Sequence, residues 1–189
     1  MDESSKIPTT SSSEPGEPFR KSLGLRFVGL FLALFVAATL AWSGARGTAL
    51  ERLVVEQATV ASSARLISWL SPTEGVRADG FRLISPRVRL SVLNGCEGTE
   101  SILLLAAAVL AFPAPWRRKP AGLILGTVII FLLNQARIVG LYFILRHRPA
   151  WFESMHGYIA PTLIVLAGSL FFILWLRWAK PENSHAVTA

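Results

Sequence analysis

Cysteine is almost absent: Cys96 is the single one in 189 residues. That excludes an intrachain disulfide and any metal site built from several thiolates. Histidine is nearly as scarce, with three in the chain, and one Cys with two loosely spaced His matches no ligand pattern, so neither a metal nor a cofactor is expected. Charge is also in short supply. Charged residues make up 16% of the chain, against about 25% in soluble domains. Acids are rarer than bases, which leaves a net charge of +7. The cations flank apolar runs, where they meet anionic lipid headgroups. No basic face with interleaved aromatics stands on a soluble domain, so nucleic acid is not a partner. What the chain has instead is apolar residues in blocks, the mark of an integral membrane protein.

Residues 1–24 are rich in Ser, Thr, Pro and Glu at their start, lack apolar periodicity and read as a disordered cytoplasmic tail. Arg20, Lys21 and Arg26 precede the first apolar run, Phe27 to Trp42. Ser43-Gly44-Ala45 resembles a small-residue cleavage site, but the long preceding tail favours a retained helix over a signal peptide. Residues 46–71 place Leu50, Leu53, Val54, Ala58, Ala61, Ala64, Leu66, Ile67 and Leu70 at helical spacing, opposite Arg46, Glu51, Arg52, Glu56 and Arg65. This predicts an amphipathic helix on the membrane surface or against the bundle, stopped by Pro72. In 75–93, Phe81, Leu83, Val88, Leu90 and Val92 alternate with arginines and Ser91 around a break at Ser85-Pro86, which predicts a short β-hairpin. Three further apolar segments follow. The expected architecture is an all-α integral membrane protein with about four transmembrane helices (25–43, 97–113, 121–145 and 156–176), an extracytoplasmic region 44–95, and a short cytoplasmic tail 181–189. Trp42, Trp116, Trp151, Trp175 and Trp178 fall at the predicted span ends, as an aromatic belt would.

Arg20–Arg26, the turn Trp116-Arg117-Arg118-Lys119, and Arg177 with Lys180 satisfy the enrichment of cytoplasmic loops in Lys and Arg. The region 43–95 carries seven arginines, but long loops weigh little in that rule. With this topology Cys96 lies at the outer mouth of the second helix. Arg137 stands sixteen residues above Ala121, about 24 Å up a hydrocarbon core about 30 Å thick. His156 opens the last helix on the same side.

A thiol, an imidazole and a permanent cation therefore converge at one face of the bilayer. A charge inside a span costs several kcal/mol, so Arg137 is a functional candidate, and Asn134 one turn below it adds to an inward polar stripe. Cys96 at a helix start beside a guanidinium is expected to have a lowered pKa, and Gly95 and Gly98 are expected to leave the sulfur accessible. His156 is the candidate acid and base. His147 competes with it but sits between Arg146 and Arg148. Asn134, Glu97, Glu100 and His147 are candidates for supporting roles, Glu97 and Glu100 also being favourable first-turn acids.

Asn94-Gly95-Cys96-Glu97-Gly98, then Asn134-x-x-Arg137, then His156, resemble the exosortase/archaeosortase family of membrane transpeptidases. The resemblance covers about residues 25–180. It implies a helical fold with catalytic Cys96, Arg137 and His156 near the outer surface of the bacterial inner (plasma) membrane. It also implies secreted substrate proteins that end in a short motif, a transmembrane helix and a basic cluster, cleaved at the motif and passed to a surface anchor, the acceptor nucleophile being unknown. The length and the stretch from Ala111 to Arg118 most resemble the compact exosortase H branch. The chain departs from longer members in having fewer helices, and in Thr99 where many have an aliphatic residue. The substrate helix is expected to pack against small residues such as Gly126, Gly140 and Gly168. Other classes compatible with the composition are a scaffold or assembly subunit, a small transporter subunit, and a protease that hydrolyses without transfer. Four short spans without an inverted repeat leave little room for transport.

Overall fold

The computed structural model describes residues 17–92 and 95–179. The expected carboxyl-terminal tail 181–189 and residues 1–16 of the amino-terminal tail lie outside them. Helix α1 (Glu17–Gly44) starts within the stretch assigned to that tail. Three helical segments are long and apolar enough to cross a membrane: Gly24–Gly44, Trp116–His147 and Pro149–Ala179. The second contains α5 (Lys119–His147), with Pro120 in its first turn and Arg146 and His147 in its last, placements that suit a helix with a free amino-terminal N–H row and a negative carboxyl end. The third contains α6 (Phe152–Ser154), a π-helical turn at Met155–Ile159 and α7 (Ala160–Ala179).

The helix found at the expected span 97–113 is shorter than that span. Helix α4 (Thr99–Ala111) has 13 residues, about 20 Å, which is less than the core of a bilayer. Two local causes set its limits. Gly98 precedes it in a left-handed conformation, φ 79°, and Pro113 with Pro115 prevents its continuation. It nonetheless lies along α5 in the antiparallel sense. Lys119 Nζ donates to the Leu110 carbonyl at 2.6 Å at one end, and Asn134 Nδ2 donates to the Cys96 carbonyl at 3.1 Å at the other.

Phe27 of α1 meets Phe112 edge to face at 6.0 Å, Arg118 donates to the Trp178 carbonyl at 2.6 Å, and Trp175 Nε1 donates to the Arg118 carbonyl at 3.3 Å. The start of α1, the basic turn and the end of α7 thus share one end of the bundle. Leu105, Val109, Ile130, Ile164 and Trp175 form its core. Trp175 is buried, so it is a packing residue rather than part of an aromatic belt, whereas Trp116, Trp151 and Trp178 are exposed. Trp42 also packs inward, against the cap described next. Two of the three small residues expected to receive a substrate helix serve the bundle itself. A Cβ on Gly126 would stand 2.6 Å from Leu105 Cδ2, and one on Gly168 would stand 3.2 Å from Ile130 Cδ1; only Gly140 has open space.

At the opposite end sits a cap. The expected amphipathic helix is a continuous helical stretch, α2 (Ala49–Glu51), a π-helical segment (Arg52–Ala61) and α3 (Ser62–Leu70). The π segment turns the buried face away from the stripe read at 3.6-residue spacing. Val55, Thr59, Val60, Ser63, Ala64 and Ile67 are buried, while Leu50, Leu53, Leu66 and Leu70 face outward. The expected hairpin is a three-stranded antiparallel meander, β1 (Arg77–Asp79), β2 (Arg82–Ile84) and β3 (Arg89–Ser91). Gly80 at φ 56° makes the first turn. Ser85 makes the second, its Oγ accepting the Val88 N–H at 3.0 Å. Leu83 and Leu90 are directly opposed and buried.

Helix α5 joins the two parts. Its 29 residues rise about 43 Å, more than a hydrocarbon core. Ile138, Leu141 and Tyr142, beyond the bundle core, lie in the cap core with Val60, Ile67, Leu83 and Leu90. Tyr142 donates to Glu74 Oε2 at 3.0 Å and also pairs with Ser85 Oγ at 3.0 Å. Buried Glu74 is flanked by Arg146 at 3.5 Å and Arg87 at 3.6 Å.

Candidate active site

Cys96 lies in a loop, two residues before the left-handed Gly98 and outside α4. It therefore does not occupy the helix start expected for it. A Cβ at position 98 would meet Asn134 Cγ at 2.8 Å, so glycine there lets the loop lie directly on α5. Asn134, 1% exposed, then holds the Cys96 carbonyl. Arg137, one turn further, donates from Nη1 to the Gly95 carbonyl at 3.2 Å and from Nη2 to the His156 carbonyl at 3.3 Å. Its Nη2 also stands 3.7 Å from Cys96 Sγ.

His156 comes from the π-helical turn. Its Nδ1 is 3.5 Å and its Nε2 3.8 Å from Cys96 Sγ. Phe152, one turn earlier, stacks on the ring at 5.4 Å and 4°. The three residues that the sequence brought to one membrane face are thus mutually in contact, although 60 residues separate Cys96 from His156.

The electrostatics differ from expectation. Cys96 is 8% exposed, because the cap core closes over it; the flanking glycines do not leave it open. Burial pushes its thiol above the ordinary value, the Arg137 guanidinium pulls it down, and the Glu97 carboxylate pushes it up. Burial is the largest of these effects, so the thiol is raised where a lowered one was expected. Glu97 is itself buried, and its Oε2 has no hydrogen-bond partner among the described residues. Glu100 is exposed. His147 is exposed and stacks on Phe143 at 6.3 Å. It stands ten residues beyond Arg137 on α5, about 15 Å along the axis, and is not part of the cluster.

Sequence reasoning missed two residues that build the site. Phe152 orients the imidazole, and an aromatic four residues before a helical histidine was its signal. Gln135, buried beside Asn134, accepts from Ser63 at 2.6 Å and donates toward the Ala58 and Thr59 carbonyls at 3.4 and 3.5 Å. It fastens the cap helix to α5, and the polar run Asn134-Gln135-Ala136-Arg137 on an apolar helix was its signal.

An imidazole nitrogen within reach of a thiol can take its proton, and a guanidinium beside the sulfur stabilises the resulting thiolate. The fold and this cluster define an all-α integral membrane protein with a small three-stranded sheet and a thiol, imidazole and guanidinium at one end of its bundle. Residues 20–176 match the model of the transmembrane exosortase family, Exosortase_EpsH, and the chain belongs to that family. No curated protein and no solved structure matches it.

Proposed function

We propose that the protein is a membrane cysteine transpeptidase that cleaves a carboxyl-terminal sorting signal from secreted proteins and transfers them to a surface anchor. The observation that carries this reading is the contact of Cys96 Sγ with His156 Nδ1 at 3.5 Å and with Arg137 Nη2 at 3.7 Å. The imidazole takes the thiol proton, and the thiolate attacks the scissile carbonyl. The tetrahedral oxyanion forms beside the Arg137 guanidinium. As it collapses, the imidazolium gives its proton to the leaving amine, and an acyl thioester on Cys96 remains. An acceptor nucleophile then gives its proton to the imidazole and attacks the thioester, which frees the thiol. Water in that role gives hydrolysis; an anchor-borne nucleophile gives transfer.

In this reading the substrate helix lies beside the bundle with its basic cluster in the cytoplasm, next to the same leaflet as the Trp116–Lys119 turn. Cys96 is held against Asn134, fifteen residues above Lys119 on α5, about 22 Å up. The bilayer then brings the cleavage motif to the level of the thiol. β3 is an edge strand of the described sheet, and its outer edge offers backbone groups for an extended motif to pair with.

The test is processing in cells of a substrate carrying such a signal, read by blotting for the uncleaved form. Cys96→Ala is expected to abolish cleavage in a folded protein. Processing at the wild-type level would replace the enzyme reading with a scaffold. Orientation is tested by a membrane-impermeant thiol reagent on cysteines introduced into the Cys96→Ala background. Ser154→Cys should be labelled in intact cells and Arg118→Cys should not; the reverse pattern would place the site in the cytoplasm.

A further inference from the structure

A cavity outside the cluster lies on the cap, and the proposed reaction makes no use of it. It measures about 640 Å3 and is lined by Arg77, Arg87 and Arg89 around Ile84, Ser85 and Pro86. The sheet register explains why cations gather there. Arg77 pairs with Ile84, and Ile84 pairs with Arg89, so the three side chains form one row across the outer face while Leu83 and Leu90 point into the core. Arg87 enters from the β2–β3 turn. It faces Glu74 at 3.6 Å, but Glu74 is shared with Arg146. Arg77 and Arg89 have no acidic partner within 4 Å among the described residues. Three guanidinium groups around one concavity, two of them uncompensated, form a site for an oxyanion with several acceptor oxygens.

The depth of this cavity narrows the choice of oxyanion. Ser85, in its wall, is bonded to Tyr142 of α5. Tyr142 stands 23 residues above Lys119, about 35 Å along the helix, and about 33 Å along the membrane normal for a typical tilt of about 20°. A hydrocarbon core about 30 Å thick that begins at the basic turn ends just below this level, and the headgroup layer begins there. We infer that the Arg77–Arg87–Arg89 cavity binds the phosphate of a phospholipid headgroup and thereby seats the cap on the bilayer. It shares no lining residue with the Cys96 site, and its occupation does not depend on the reaction proposed there.

The experiment is calorimetric titration of the full chain in neutral maltoside micelles. The probes are dihexanoyl phosphatidylglycerol below its own micelle concentration, dihexanoylglycerol and inorganic phosphate. One saturable site for phosphatidylglycerol is expected, none for the neutral diacylglycerol, and weaker binding of inorganic phosphate. Arg77→Gln with Arg89→Gln should weaken phosphatidylglycerol at least about tenfold, since each lost charge-assisted bond is worth that order. Arg117→Gln, at the other end of the bundle, should leave it unchanged. Undiminished binding by the double variant, or an equal loss in Arg117→Gln, would overturn the site. Inorganic phosphate binding as tightly as the lipid would overturn the lipid assignment. The alkylation rate of Cys96 reports whether the cap has kept its fold. If the double variant loses the wild-type rate, Arg77→Gln alone is decisive: retained affinity refutes the site, and a several-fold loss supports it.

Discussion

Replacing Gly98 by alanine tests the way the Cys96 loop is held. Two effects add at this position. The backbone lies at φ 79°, where a Cβ costs about 1–2 kcal/mol. The new Cβ would also stand 2.8 Å from Asn134 Cγ and 3.1 Å from its Nδ2, so the amide has to move away from the Cys96 carbonyl. Losing that buried bond costs about 1–3 kcal/mol more. The sum is about 2–5 kcal/mol. Gly95→Ala is the internal reference. Its φ of 87° carries the same backbone cost, but nothing lies within 4 Å of its Cβ, so about 1–2 kcal/mol is expected there. The measurement is reversible unfolding in mixed micelles titrated with dodecyl sulfate. Asn134→Ala should cost about 1–3 kcal/mol alone, and combined with Gly98→Ala it should be less than additive by about 1 kcal/mol. If Gly98→Ala proves no worse than Gly95→Ala, or if the double variant is additive, then the loop does not lean on Asn134 and the geometry of the site is wrong.

Arg137→Ala should shift the pH midpoint of Cys96 alkylation upward, since the guanidinium pulls the thiol down, and Glu97→Gln should shift it downward, since the carboxylate pushes it up; no movement in either would mean that neither charge is felt at the sulfur. On the proposed function, His156→Ala should cut substrate processing by a factor of about 100 or more, as loss of a general acid and base does, while exposed His147→Ala should process at close to the wild-type rate. Glu74→Ala should destabilise the cap by about 3 kcal/mol, because it leaves Arg146 without its buried carboxylate partner while the Tyr142 hydroxyl keeps only Ser85, whereas Tyr142→Phe should cost about 1 kcal/mol; both are read by the same unfolding titration.

The apolar blocks made the membrane class legible, and span length alone brought Cys96, Arg137 and His156 to one end of the bundle, because rise per residue converts directly into depth. What failed was any reading that assumed regular local structure. Thirteen residues of α4 could not be told from seventeen, since an apolar run does not report where a left-handed glycine interrupts it. The buried face of the cap helix was misplaced because ten π-helical residues, Arg52–Ala61, advance by more than 3.6 per turn. The exposure of Cys96 was misjudged for a different reason. Gly95 and Gly98 clear space around the sulfur, but the cap core, built from chain distant in sequence, closes over it, and no local pattern encodes that.

The same irregular backbone explains why α5 carries polar residues in an otherwise apolar helix. Every carbonyl they engage belongs to chain that is not α-helical. Asn134 takes the Cys96 carbonyl and Arg137 that of Gly95, both in a loop. Gln135 takes those of Ala58 and Thr59, inside the first π segment. Arg137 also takes that of His156, inside the second. Near a bilayer such groups lack water, and each one left unpaired would cost several kcal/mol. Asn134, Gln135 and Arg137 therefore do one physical job at three places: they make a loop and two π-helical turns tolerable at the junction of the bundle core and the cap core. The thiol and the imidazole stand on two of those three stretches. Bringing them into contact needs backbone that regular helices cannot provide, and the polar belt of α5 is what permits it.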